Sequence, residues 1–335
     1  MYHLSYFQKG IFVLLACLMI SSCEKDQSLL QSDVTIEDQD HPQNLMIFND
    51  AKEFLELYKK PISEIKALQS ELFDEKEFTS YMNHFNSIEE ELAQLEISGQ
   101  LPSSVKEIEE QFDIKIVDDP QGGKVIIPAV KSPGLAVIAN EYGIYQVGET
   151  LVQISYDLAY TLPLSSVIDF TDISQTPGVT VTALFDETQN TKVTIHECID
   201  TYFHDGTEHR LRAEWFVNYT NVPLPPANVA VPVTEIGILV RHQKRGFLGI
   251  WFGNKEDRIR ADGRMTHIVQ EESGSSNEIF DIDHDVFNSS RLFIDIFRGA
   301  RLVNIAPNDW IVRPSWCEHA SVDAGTSANC FIIGG

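Results

Sequence analysis

Two ligand-type side chains stand four positions apart in His196-Glu197-Cys198-Ile199-Asp200. On a helix, His196 and Asp200 would share one face with Glu197 available as a base, as in a metalloprotease motif. The preceding run Val193-Thr194-Ile195 favours a strand instead. In a strand the two candidate ligands would lie about 13 Å apart, too far to share an ion. We therefore expect a strand and assign no metal ligand here.

A second acidic run, Asp281-Ile282-Asp283-His284-Asp285, places carboxylates at alternate positions, as in a calcium-binding loop. Val286 stands where that loop requires Gly, and Leu292 stands where it requires Glu. The sequence therefore predicts an exposed acidic loop, with a looser calcium site as the alternative. We assign no catalytic residue, no metal ligand and no cofactor to the chain.

A basic run and the tryptophans are the candidate ligand contacts. The run from Arg241 to Arg245 stands out against an acidic chain and predicts a solvated hairpin tip. The alternative is an anionic glycan bound through Arg241, Lys244 and Arg245. Buried packing is expected for the tryptophans in general. Trp310 and Trp316 flank irregular sequence, so they are the better candidates for stacking on a sugar.

Three cysteines remain after the N-terminal segment, and the last two close a short loop. A disulfide between Cys317 and Cys330 would restrict the unfolded chain by about 3 kcal/mol and hold the C-terminal tail. Cys198 would then be left over and buried. The alternative is a metal site formed by Cys317, His319 and Cys330, although the paired spacing typical of zinc sites is absent.

The N-terminus has the three parts of a secretory signal. Lys9 precedes an apolar run, Ile11 to Ile20, which is too short to span a bilayer as a helix. Ile20-Ser21-Ser22-Cys23 resembles the lipobox of bacterial lipoproteins. We predict cleavage after residue 22 and acylation of Cys23. The charged residues that follow resemble part of a Bacteroidota export tag, which predicts an outer-membrane lipoprotein facing the cell exterior.

The net charge of −25 argues against binding to nucleic acid or to anionic headgroups. Dinucleotide-binding, P-loop, nucleophile-elbow and Cys-x-x-Cys motifs are all absent from the sequence. The membrane, reached through the lipid anchor, is the expected partner, together with a glycan or protein ligand.

The pattern of apolar residues divides the mature chain into three segments. Residues 23 to 43 are acidic and predict a flexible tether. Residues 44 to 112 have helical periodicity, with Asn49 or Asp50 as a cap, a break at Pro61 and a further cap at Ser103. Residues 113 to 335 alternate with period two and predict an antiparallel β-sandwich or barrel-like domain. The expected fold class is therefore α+β.

The strand pattern is clearest from His209 to Tyr219. Leu211, Ala213, Trp215, Val217 and Tyr219 share one face, and Arg210, Arg212, Glu214 and Asn218 share the other. We also predict hairpins around three turns, which are Gly148-Glu149, Gln243-Lys244-Arg245-Gly246 and Asp262-Gly263.

The order of several motifs resembles a family of uncharacterised Bacteroidota surface lipoproteins. The resemblance covers about residues 138 to 267. The stretches that carry it are Asn140-Glu141-Tyr142-Gly143, Gln146 to Thr150, Cys198, His209 to Trp215, Arg241 to Arg245 and Gly249-Ile250-Trp251. It implies an exported domain of unknown function and transfers no site residue.

These observations favour a non-catalytic surface lipoprotein that binds a partner or polysaccharide, or that structures the envelope. The alternative is a secreted hydrolase with a carboxylate-based site, since acidic residues are plentiful.

Overall fold

The computed structural model describes residues 44–333 except 74–77, 167–168, 170, 185–191, 226–228, 272–273, 301–310 and 324–325. Within strands, side chains are described outside 192–196, 229, 265–279, 297, 299–300, 311–319, 321–327 and 330–333. The predicted signal peptide, the tether and Cys23 lie outside the described residues. None of the described helices is long and apolar enough to cross a membrane.

Four of the five described helices begin at a side-chain cap, and the helix after Pro61 begins without one. They are α1 (Ala51–Tyr58), α2 (Ile62–Leu72), α3 (Tyr81–Ser98), α4 (Val105–Phe112) and α5 (Pro133–Ile138). The Asp50 carboxylate accepts hydrogen bonds from the N–H groups of Lys52 and Glu53, at 2.8 and 2.9 Å. α4 is capped by Ser104, one residue after the predicted cap. The pattern of apolar residues did not predict α5, because this short helix is apolar throughout and has no helical periodicity.

The strands before residue 190 are short. They are β1 (Ile47–Phe48), β2 (Lys115–Asp118), β3 (Lys124–Ile127), β4 (Ile144–Val147), β5 (Thr150–Ser155), β6 (Leu158–Pro163) and β7 (Thr180–Ala183). The later strands are longer. They are β8 (Lys192–His204), β9 (Thr207–Leu224), β10 (Val229–Arg245), β11 (Ile250–Gly253), β12 (Glu256–Glu271), β13 (Gly274–Ser289), β14 (Arg291–Ala300), β15 (Ile311–Asp323) and β16 (Thr326–Ile333).

The described strands form three sheets that curl into a half-barrel. The first sheet has the order β1-β4-β5-β6-β7. The second has the order β2-β3-β11-β10-β9-β8, with β14 also paired to β10, and the third has the order β13-β12-β15-β16. The pairing is largely antiparallel, as expected. β1 with β4 and β3 with β11 are parallel, which the sequence pattern did not indicate.

Both faces of the second sheet are covered. One face packs against the third sheet through the core around Leu211, Trp215, Ile238 and Ile259. The opposite side of the fold packs α1, α2 and α5 against strands of the first and second sheets, and α3 and α4 against β2, β3 and β11. The fold is therefore α+β, as predicted, and Pro42 to Gly335 form one compact unit.

Two predicted turns are wrong. Asp262 and Gly263 lie inside β12, which pairs with β13 on one side and with β15 on the other. The turn predicted at residues 243–246 lies at residues 246–249 instead, because Arg241 to Arg245 are the last part of β10. The predicted hairpin itself is confirmed, since β10 pairs with β11 in antiparallel register. In both cases the turn-forming or polar residues remain in the ladder because neighbouring strands supply hydrogen-bond partners along their length. The hairpin at Gly148-Glu149 is confirmed.

Candidate functional site

The polar face of β9 is buried. Arg210, Glu214 and Asn218 are 1%, 2% and 4% exposed. The opposite face, which carries Leu211 and Trp215, is core as predicted. The alternation in the sequence therefore identified the two faces. It did not show that the charged one is covered, because alternation indicates only which residues share a face.

One buried charge cluster is centred on Asp119, in the turn after β2. Its carboxylate contacts Arg210 Nη1 at 2.7 Å and Arg212 Nη1 at 3.0 Å. It also accepts a hydrogen bond from the Gln121 N–H at 3.0 Å. Burial alone would raise the pKa of Asp119, but this hydrogen bond and the two arginines lower it below its usual range. Asp119 is therefore ionised near neutral pH.

Arg210 is the buried cation of this cluster. Its Nε donates to Gln243 Oε1 at 2.9 Å, and its guanidinium lies 4.1 Å from the centroid of the Trp251 ring. Burial lowers the pKa of Arg210 to about 10. The ion pair with Asp119, the hydrogen bond to Gln243 and the contact with the Trp251 ring together hold β9, β10, β11 and the Asp119 turn in place.

A second buried cluster surrounds Glu235 on β10. Its carboxylate accepts hydrogen bonds from Ser132 Oγ, the Gly134 N–H and Asn218 Nδ2, at 3.0, 2.9 and 2.9 Å. Arg298 lies directly opposite on β14. Burial raises the pKa of Glu235 more than these partners lower it. Both clusters attach the β9–β10 face to the elements that cover it. Their charged and polar groups pair with one another, which is a structural role.

A third cluster lies at one end of the sandwich core and contains ligand-type side chains. His242 and Glu256 are buried, and His242 Nδ1 lies 2.6 Å from Glu256 Oε1. Tyr202 Oη lies 2.7 Å from His242 Nε2. The buried His209 ring lies 5.6 Å from that of His242, measured between centroids. No sequence motif indicates this cluster, because its members come from four different strands.

The surface has a groove of about 290 Å³ between α3 and the region where β10, β11 and β12 meet. One wall is α3, from Glu89 to Ile97. The opposite wall contains Lys244, Phe252, Gly253, Asn254, Lys255 and Ser290. The carboxylates of the groove therefore all come from one helix, and cationic and amide groups face them.

The predicted ligand contacts lie in different places. Lys244 lines the groove. Arg241 is mostly buried, with Nη2 3.3 Å from Glu214 Oε2. Arg245 pairs with Glu208 at 2.7 Å. The prediction of a solvated hairpin tip is therefore wrong for Arg241, because β10 places its guanidinium beside Glu214.

Several sequence-predicted residues lie outside the described part of the chain. Trp310 is not described, and Trp316 is placed by its backbone alone, opposite Arg264 and Ile333. The backbone of Cys317 lies opposite Ile332, and that of Cys330 lies opposite His319. The Cys317–Cys330 bridge and the site with His319 therefore stay predictions. Cys198, expected to be left over, is disulfide-bonded, so that expectation is wrong. The Cys317–Cys330 bridge is therefore compatible with it only if Cys198 pairs with one of the two N-terminal cysteines.

The two candidate metal motifs of the sequence lie in strands. His196 and Asp200 belong to β8, as expected from their flanks. Asp281 to Asp285 lie in β13, so the predicted loop is wrong. Asp281 pairs with Arg264 at 2.6 Å and Asp285 with Arg258 at 2.7 Å. These carboxylates alternate along β13 because they form a cross-strand ladder with the arginines of β12.

Comparison with known proteins assigns no family. No protein-family profile and no curated protein matches the chain. A crystal structure of a DUF4848 family protein from Bacteroides thetaiotaomicron is similar at 11% identity, over 86% of this chain and 96% of that chain. The TM-score is 0.24, a value at which the likeness carries no argument. The resemblance to Bacteroidota surface lipoproteins stays a prediction.

Proposed function

We propose that the protein is a lipid-anchored lipoprotein of the outer membrane, exposed on the cell exterior, that binds a glycan without cleaving it. Cys23 is the proposed acylation site, and residues 23 to 43 are the tether. Several acyl chains give stable anchoring where one does not, since each buried CH₂ contributes about 0.8 kcal/mol. The folded unit from Pro42 onward then presents the ligand-binding surface.

The groove between α3 and Lys244 carries the proposal. Its walls combine carboxylates, amides and ammonium groups, including Glu91, Gln94, Asn254 and Lys244. Sugar hydroxyls both donate and accept hydrogen bonds, so they are matched by a groove with acceptors on one wall and donors on the other. Its volume is near the lower end of the range of about 300 to 1,000 Å³ for small-molecule sites. That size suits a single ring of a longer polysaccharide.

An exposed aromatic side chain adjoins the groove. Phe247, in the turn after β10, is 83% exposed, and its N–H donates to Glu96 Oε1 at 2.7 Å. Ile97, next to Glu96, is 65% exposed. An exposed phenylalanine beside polar groups provides the apolar surface on which the C–H face of a sugar ring packs.

The positions of the carboxylates favour binding over hydrolysis. Glycoside hydrolysis needs two carboxyl groups on opposite sides of the scissile bond, about 5 to 9.5 Å apart. In this groove the carboxylates share the α3 wall, and several are engaged. Glu90 pairs with Lys255 at 3.1 Å, and Glu89 pairs with Arg291.

A glycan array probed with the full-length, detergent-solubilised protein tests the proposal, followed by calorimetry on each positive glycan. Phe247→Ala should weaken binding roughly tenfold, because a stacking contact of about 1.4 kcal/mol corresponds to that factor. Phe287→Ala is the matched control, since Phe287 is 68% exposed on β13. Equal losses for the two variants, or an array without signal, would contradict the groove. Release of reducing ends would favour the hydrolase.

Location is tested separately by mass spectrometry of the native protein. The expected N-terminal peptide begins at Cys23 and carries acyl chains. A peptide that still contains residues 1 to 22 would contradict the lipid anchor. It would not contradict the proposal that the groove binds a glycan.

A further inference from the structure

Three strands bring imidazole and carboxylate groups to one buried point. His209 lies on β9, His242 on β10 and Glu256 on β12. Each offers one ligand atom, and these atoms all lie within 4.8 Å of one another. The three residues are 5%, 0% and 1% exposed. Because β12 belongs to the third sheet and β9 and β10 belong to the second, the point lies between the two layers of the sandwich.

One carboxylate oxygen at this point is available for coordination. Glu256 Oε1 faces His242 Nδ1 at 2.6 Å and accepts a hydrogen bond from Asn254 Nδ2 at 2.8 Å. Glu256 Oε2 is buried and has no hydrogen-bond partner among the described residues. A buried acceptor without a donor destabilises the folded state, and more so when it is charged. A bound cation would remove that destabilising effect.

We propose that His209, His242 and Glu256 bind a divalent transition-metal ion, with zinc as the ion that suits them best. Two imidazoles and one carboxylate form a ligand set that zinc accepts, whereas calcium and magnesium prefer oxygen ligands throughout. Zinc–nitrogen bonds of about 2.0 to 2.1 Å place tetrahedral ligands about 3.3 Å apart. The three groups reach that spacing by shifts smaller than 2 Å.

The hydrogen bonds of His242 determine how it would bind. Nδ1 is on the Glu256 side, so it becomes the ligand when it is deprotonated. Nε2 then carries the proton and donates it to Tyr202 Oη, 2.7 Å away. An outer partner of this kind fixes the tautomer and orientation of a ligating histidine. Tyr202 is partly exposed and therefore connects the site to solvent.

The proposed ion would join the two sheets of the sandwich and would stabilise the folded state, because the three ligands converge only after folding. This inference does not depend on glycan binding, since the groove residues are not its ligands.

Metal analysis of the full-length protein tests the inference. After dialysis against chelator, titration with zinc should show one tightly bound equivalent. A hundredfold excess over Kd should raise Tm by about 5 °C. Glu256→Gln keeps the shape and the Oε1 acceptor but removes the charge, and it should weaken zinc binding at least tenfold. His284→Gln, on the exposed surface of β13, is the matched control and should bind as the wild type does.

Cobalt substitution gives a readout that needs no variant. Wild-type protein with one equivalent of Co²⁺ should show the intense visible bands of four-coordinate nitrogen and oxygen ligation. An intense near-ultraviolet thiolate band would place the metal on cysteine and overturn the assignment. Less than a fifth of an equivalent bound, no change in Tm, or unchanged affinity in Glu256→Gln would overturn it as well.

Discussion

The buried pair of Asp119 and Arg210 should be strongly coupled in a double-mutant cycle made with Asp119→Asn and Arg210→Met. The Asp119 side chain is fully buried and that of Arg210 is 1% exposed. Among the described residues, Asp119 is the carboxylate that pairs with Arg210. Asn removes the charge at nearly constant shape, and Met keeps an apolar stem against the Trp251 ring.

The magnitudes follow from the partners that remain. Asp119→Asn leaves a buried guanidinium without a counter-ion, which costs about 3 to 5 kcal/mol. Arg210→Met costs less, about 1 to 3 kcal/mol, because Asp119 keeps Arg212 and the Gln121 N–H. When Arg210 is already absent, Asp119→Asn should cost only about 1 kcal/mol. The expected coupling energy is therefore about 2 kcal/mol or more.

Urea denaturation of the full-length protein at pH 7 measures the four free energies of unfolding, and urea does not screen charges. The matched control is the exposed pair of Lys52 and Glu56 on α1, whose side chains are 83% and 64% exposed. Its cycle should give about 0.5 kcal/mol or less. Additive effects at Asp119 and Arg210, within about 0.5 kcal/mol, would refute the argument that these two charges compensate each other.

Three further predictions concern other parts of the fold. Burial raises the pKa of Glu235, so the stability it contributes is complete below its unfolded pKa of about 4.3 and is lost as pH rises through the folded value. The stability of wild type relative to Glu235→Gln should therefore fall as pH rises above about 4, and a rise would contradict the raised pKa. Asp50→Ala should lower the free energy of unfolding, measured by urea denaturation, by about 1 kcal/mol, because the N–H groups of Lys52 and Glu53 lose their cap. An unchanged free energy of unfolding would show that this cap does not stabilise α1. Non-reducing peptide mapping should find Cys198 in a disulfide, and a free Cys198 thiol would contradict it.

Local elements were predictable where one short-range signal dominates. Asp50 caps α1, Pro61 separates α1 from α2, and the left-handed Gly99, at a φ of 68°, ends α3. The Gly148-Glu149 hairpin follows from the turn residues between two alternating runs. Each of these features depends on residues within a few positions along the chain, so the sequence contains the whole cause.

The sequence-based prediction was wrong where residues that are common in turns lie within a strand instead. Asp262-Gly263 is a strong turn signal, yet Asp262 lies in a central strand opposite Asp283 and Glu318. Arg260, with Nη2 2.5 Å from Asp262 Oδ2, helps to hold the carboxylate there. The strand therefore continues because hydrogen bonds on both of its sides outweigh the preference of two residues for a turn.

The sequence by itself determined the α+β class and the two faces of β9, because period-two alternation is a property of neighbouring residues. It could not show that Arg210 and Glu214 would be buried, or that His209, His242 and Glu256 would meet. Burial of the charged face depends on α5, the Asp119 turn and β11 covering it. The histidine cluster depends on strand register and on the packing of two sheets. These are long-range contacts, so only the tertiary structure decides them.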